Sequence, residues 1–226
     1  MRTPTRSTTF LSRFAAVGGA SLLIASAQAG TIVGSPHDFS TTGWAGGQNC
    51  VACHTPHNAN VTVTDAPLWN HALTTKTYAL YTSPTLNAAT GQPGGASKLC
   101  LSCHDGTVAI DSFGGTTGTN LMGGSDAVGR GPADLTDDHP ISITYNTALA
   151  TADGGLYDPA TRTVAIGSGT QTRTGTVAAT LLYNGQLQCA SCHDVHNTFT
   201  VGGINGEPLL KVSKAGSALC LTCHNK

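Results

Sequence analysis

Residues 50–57 read Cys50-Val51-Ala52-Cys53-His54-Thr55-Pro56-His57. Two cysteines separated by two residues and followed at once by a histidine form the attachment pattern of a c-type heme. The spacing has a chemical reason. Two thiols add to the two vinyl groups on one porphyrin edge, the two intervening residues keep both sulfurs on one side of a single turn, and the adjacent imidazole turns under the iron as an axial ligand. The pattern occurs four times, at Cys50, Cys53 and His54, at Cys100, Cys103 and His104, at Cys189, Cys192 and His193, and at Cys220, Cys223 and His224. These four pairs use all eight cysteines. The expectation is four covalent heme c groups.

Three other readings compete. A thioredoxin-like redox pair would sit in a βαβ context, which the flanking sequence lacks. Two CxxC pairs sharing a zinc would leave the four following histidines unexplained. A disulfide framework is the ordinary expectation for an exported chain with eight cysteines, but a disulfide across each CxxC would block heme attachment.

The ligand count sharpens the heme reading. With His54, His104, His193 and His224 as proximal ligands, five histidines remain: His37, His57, His71, His139 and His196. Met122 is the only methionine after Met1, so at most one iron could take a His/Met set. Four bis-histidine hemes are the economical assignment, with low potentials and no open coordination position. His54 and His57 lie three residues apart and emerge on nearly the same side of the chain, so His57 cannot reach the opposite face of the heme that His54 holds. Three residues span at most about 11 Å, so a second iron bound by His57 would be close to the first. His193 and His196 repeat this arrangement. Both HxxH pairs read as staples between neighbouring hemes.

The chain looks duplicated. The first unit runs SPHDFS, CVACHTPHNA, APLW and SKLCLSCHD; the second runs DDHPIS, CASCHDVHNT, EPLL and SALCLTCHN. Each carries a leading histidine, a CxxCHxxH, a Pro-Leu pair and a closing LCLxCH. The repeat favours His37, His57, His139 and His196 as distal ligands and leaves His71 as the odd one, although Trp69 and Tyr78 beside it would suit a heme pocket.

The remaining features set the organisation. Residues 1–29 read as a cleaved signal peptide, with Arg2, Arg6 and Arg13 before an apolar stretch that ends in Ala27-Gln28-Ala29. Residues 30–113 form a first diheme unit, 114–188 a loop and hairpin connector that includes His139, and 189–226 a second diheme unit, with 30–226 one compact heme-packed domain. Without the leader, 8 Lys/Arg face 12 Asp/Glu, and no basic surface points to nucleic acid. No later stretch approaches the length of a membrane span. Aromatic residues make up 5% of the chain and glycines number 28, poor material for a side-chain core, so the fold class is a mostly irregular multiheme cytochrome c with hemes as the core. Short helices are expected only around the CxxCH sites. ISITYN, RTVAIG and TVAATLLYNG predict short strands or hairpins, and YDPATR a turn between two of them.

Over most of the chain, the order HDFS, CVACHTPHNA, LWNH, SKLCLSCHDGTVA, DDHPIS, CASCHDVHN and CLTCH resembles the OmcE-type tetraheme cytochromes of metal-reducing bacteria, built from doubled-CxxCH modules. The resemblance implies subunits that polymerise outside the cell into filaments with a continuous heme chain. It also implies that one iron takes its distal histidine from the neighbouring subunit, without saying which of the five candidates crosses. The functional expectation is electron transfer through such a filament, exported to the extracellular face, with copies of itself, redox proteins or extracellular acceptors as partners. The alternative is a monomeric periplasmic electron carrier. Catalysis, for example by a multiheme reductase, needs an open iron, which the histidine surplus disfavours.

Overall fold

The computed structural model describes residues 30–202 and 209–225. The expected leader at 1–29 and Pro208 of the second Pro-Leu pair lie outside the described residues. Regular structure is sparse and local. Strands β1 (Ala79–Leu80) and β2 (Asp134–Leu135) pair in parallel; β3 (Ile143–Thr144) and β6 (Gln186–Leu187) pair antiparallel; β4 (Thr163–Ser168) and β5 (Gln171–Thr176) form an antiparallel hairpin. In β4 alternate residues turn inward: Val164 and Ile166 are buried while their neighbours face out, the period of two that a half-buried strand requires.

Helix α1 (Gly95–His104) ends on the second CxxCH; α4 (Cys189–Cys192) and α5 (Ala218–Leu221) carry the third and fourth. The first CxxCH is a hydrogen-bonded turn, with the N–H groups of Cys53 and His54 both donating to the Cys50 carbonyl. Two α-helices, and short 3-10 turns at Phe39–Thr41 and Gly124–Asp126, lie away from these motifs and correct the expectation that helices occur only there. In α2 (Thr147–Asp153) the Asn146 side chain accepts from the Leu149 N–H, and Gly154 closes the last turn at φ +68°, a left-handed position that glycine takes without steric cost. In α3 (Val177–Thr180) the Thr176 hydroxyl caps the Ala179 N–H. The run TVAATLLYNG therefore turns helical immediately after β5, although its β-branched residues favour a strand. Capping by Thr176 and complete burial of Val177 override propensity there.

Two small side-chain clusters hold the chain. Tyr78, Leu101 and Leu135 gather Leu80, Val128 and Ile141; Tyr145, Ala150, Val164, Ile166, Val177 and Leu181 gather Leu156, Phe199, Val212 and Cys223. Residues 114–188 contribute to both clusters, so this stretch is shared between the two halves. Each cluster also touches a CxxCH element, through Leu101 of α1 and through Cys223, which couples burial of the core to placement of the thiols. No helix among the described residues is long and apolar enough to cross a membrane.

Candidate heme-attachment sites

Three of the four CxxCH motifs end in the same local device. The segment Pro67-Leu68-Trp69 lies antiparallel to the first motif, bridging Trp69 to His54, with the Thr55 N–H donating to the Leu68 carbonyl and the Asn70 N–H to the Cys53 carbonyl, both at 2.9 Å. Leu210 bridges His193 in the same way, through Asp194 N–H to the Leu209 carbonyl and Lys211 N–H to the Cys192 carbonyl, both at 2.8 Å. Leu156 bridges His224, with Asn225 and Tyr157 donating to Gly155 and Cys223. The segments 68–70, 209–211 and 155–157 are thus backbone clamps that fix the main chain on both sides of the motif histidine. The second motif instead rides on α1, and its His104 carbonyl accepts from the Val128 N–H at 2.7 Å.

The imidazoles are oriented by carbonyls. Nδ1 of His54 donates to the Pro67 carbonyl at 2.7 Å, Nδ1 of His104 to that of Asp126 at 2.7 Å, and Nδ1 of His139 to that of Pro140 at 3.0 Å. A carbonyl has no proton to give, so each neutral ring must carry its proton on Nδ1 and keep the Nε2 lone pair for a metal.

Three pairs of rings stand at a common distance. His37 and His104 have centroids 5.9 Å apart, His54 and His196 6.2 Å, and His139 and His224 6.4 Å. Two imidazoles on opposite faces of one metal, each bound at about 2 Å through nitrogen, place their centroids roughly 6 to 6.5 Å apart. Each pair contains one CxxCH histidine and one of the five others. Burial first, then the neighbouring His104, His193 and His196, push the His37 imidazole down to about 4, so it is neutral and able to bind a metal at neutral pH. Its Nδ1 is buried with no hydrogen-bond partner, as are Trp69 Nε1 and Arg162 Nε. Buried polar nitrogens of this kind are ordinarily satisfied.

The two remaining candidates differ sharply. His71 is buried, with Nδ1 2.7 Å from the Ala72 carbonyl, Nε2 3.1 Å from that of Ala109, and Cys103 Sγ 3.5 Å from Nε2. His57 is exposed, and among the described residues its ring meets no other ring. Val61 and Leu68 near it in sequence are 90% and 54% exposed.

The thiols order the sites along the molecule. All eight cysteines are free. The N-termini of α1 and α4 cap one another: the Ser97 N–H donates to Gln188 Oε1 at 3.2 Å and the Cys189 N–H to Ser97 Oγ at 3.0 Å. This exchange brings Cys100 against Cys189. The hydrogen bond between them pushes the Cys100 thiol well above the usual range and holds Cys189 down to about 7. Burial, with Cys53 nearby, raises Cys103 to about 12; burial, with Cys192 nearby, raises Cys223 to about 11. Thiols of the first and second, the second and third, and the third and fourth motifs thus lie near one another. Sequence reasoning found the thiols and imidazoles but not Gln188, Ser97 or the clamp residues, since caps between helices 90 residues apart leave no local signal.

Among the described residues no three His, Cys, Asp or Glu side chains converge on one point. No protein-family model matches the chain, and no curated protein matches it.

Proposed function

We propose that this chain is a tetraheme c-type cytochrome that carries electrons along closely spaced bis-histidine hemes, as the repeating subunit of an extracellular conductive filament. The observation that carries the reading is the set of three His–His ring pairs at 5.9, 6.2 and 6.4 Å, each joining one CxxCH histidine to one spare histidine. When bound, each heme supplies one-electron exchange at its iron. The chain's own residues supply the geometry. Cys50/Cys53, Cys100/Cys103, Cys189/Cys192 and Cys220/Cys223 would hold the porphyrin edges, while carbonyls lock the imidazole tautomers and the backbone clamps keep the motif histidines from swinging. The buried N–H groups at His37, Trp69 and Arg162 suit a ligand that carries carboxylates. His71, with both ring nitrogens against carbonyls, is better suited to bracing the second site than to binding iron.

The pairs also follow the repeat. The leading histidines His37 and His139 face the closing-motif histidines His104 and His224, and His196 of the second unit faces His54 of the first. His193 and His196, three residues apart, would thus serve two neighbouring irons. Applied once more, the same rule assigns the exposed His57 to the third site of the next copy, a head-to-tail contact that does not close and so grows a filament. Four irons with two imidazoles each leave no position for substrate, hence no catalysis. Material secreted by the native host tests this reading in negative stain together with the ferric absorption spectrum. Filaments with low-spin heme are expected; discrete globules alone would remove the filament, and a high-spin spectrum would remove the bis-histidine assignment.

A further inference from the structure

Gly30 lies directly on the loop that carries His196. Its N–H donates to Thr198 Oγ1 at 3.1 Å. A Cβ at position 30 would stand 2.3 Å from the His196 carbonyl oxygen and 2.5 Å from both the Asn197 carbonyl carbon and the Thr198 nitrogen. These are backbone atoms, which no side-chain rotation can move aside, so only glycine permits the approach.

Both sides of this contact are internally fixed. In the loop, the Asp194 carboxylate accepts the N–H groups of His196, Thr198 and Phe199 at 3.1, 3.0 and 2.8 Å, and Asn197 turns the chain at a left-handed φ of +54°. Thr198 therefore joins the carboxylate, through its N–H, to Gly30, through its hydroxyl. On the other side, the Ser35 N–H donates to the Ile32 carbonyl at 3.0 Å and the Gly34 N–H to Asp38 Oδ2 at 2.7 Å. That turned segment carries His37, whose ring centroid stands 5.9 Å from that of His104. One contact thus ties the segment bearing His37 to the loop bearing His196, and these two rings face two different motif histidines.

Gly30 is also the residue that follows Ala27-Gln28-Ala29, the end of the expected leader. Hydrolysis of the Ala29–Gly30 peptide bond by a leader-removing peptidase adds one water across it, leaving a carboxylate on Ala29 and an amino group on Gly30. A peptide nitrogen offers one hydrogen, whereas an ammonium offers three, and the carboxylate behind Thr198 favours a positive charge there. We infer that Gly30 is the N-terminus of the working protein, that the His196–Thr198 backbone and the Thr198 hydroxyl are its seat, and that the seated terminus holds His196 and His37 in place. The seat stands without a heme; its consequence for the two histidines rests on the heme reading above.

The test takes the holoprotein secreted by its native host through N-terminal sequencing, trimming by an aminopeptidase followed by intact mass, and the ferric spectrum. Wild type should begin at Gly30 and resist trimming. Thr198→Val keeps the side-chain shape and the terminal residue, and should be trimmed about tenfold faster, the factor for one charge-assisted hydrogen bond where cleavage follows the open population. Gly30→Ala should add a high-spin component absent from wild type, because its methyl displaces the backbone that carries His196. If Gly30→Ala is not processed, Thr198→Val decides alone. A wild-type chain that begins elsewhere, or equal trimming of wild type and Thr198→Val, would overturn the seat; a fully low-spin Gly30→Ala would overturn its hold on His196. A wild-type chain without covalent heme whose terminus still resists trimming would overturn the heme reading and leave the seat.

Discussion

His196→Ala isolates one axial pair. The His196 and His54 ring centroids lie 6.2 Å apart with an interplanar angle of 26°, and His196 is exposed, tied locally through its backbone N–H to Asp194 Oδ1 at 3.1 Å. Losing such a side chain costs the polypeptide within about 0.5 kcal/mol, so the variant should fold and load heme normally. The iron facing His54 then loses one imidazole. The other two ring pairs, His37–His104 and His139–His224, do not include His196. The expected change is therefore one site in the four that the CxxCH motifs define. About a quarter of the ferric low-spin signal should convert to high spin, and added imidazole should restore it. Integrated electron paramagnetic resonance measures the fraction, and intact mass should be unchanged apart from the substitution, because Cys50 and Cys53 still hold that porphyrin. A full low-spin complement at normal heme content would refute the pairing of His196 with His54.

Three further outcomes follow from the same geometry. His57→Ala should leave dissociated subunits spectrally like wild type but prevent assembly or turn one site per subunit high spin in assembled material; filaments of normal length with fully low-spin iron would show that His57 does not cross between copies. Tyr78→Phe removes a charge-assisted bond of 2.6 Å to buried Asp105, a loss of about 2 kcal/mol that should lower the calorimetric midpoint by roughly 4–8 °C, and an unchanged midpoint would mean that Asp105 is otherwise solvated. Burial works against ionisation of Asp105, but bonds from Tyr78, Thr74 and Thr107 outweigh it and hold the carboxyl below the usual carboxylate range. The stability it contributes is thus complete above about pH 4 and is lost as pH falls through the lower folded value. Thermal midpoints measured from pH 6 down to pH 2.5 should fall more steeply for wild type than for Asp105→Asn, and parallel curves would contradict that origin.

What was legible in the sequence follows from what is local. The four CxxCH motifs and the two HxxH pairs are spacings within a few residues, and the heme reading proposed for them rests on the chemistry of thioether and imidazole. The Pro-Leu pairs were visible as repeated letters, but the clamp role of Leu68 and Leu209 depends on pairing with motifs more than ten residues away. Helix α2 carried readable signals, Asn146 at the N-cap and Gly154 after the C-terminus, inside a stretch read as connector. Helix α3 carried a misleading one: Val177 and its neighbours favour a strand until the hairpin and the Tyr145 cluster bury Val177 completely. The choice between His37 and His71 needed the third dimension, because only tertiary contacts place one ring against His104 and the other between the Ala72 and Ala109 carbonyls.

The central claim is that four porphyrins are bonded to the eight thiols. The most direct test is intact mass spectrometry, under denaturing conditions, of the protein purified from its native host. The result expected is a polypeptide heavier by four hemes, with each Cys pair alkylation-resistant. A chain with free thiols, or one that releases zinc on denaturation and carries no porphyrin, would contradict it.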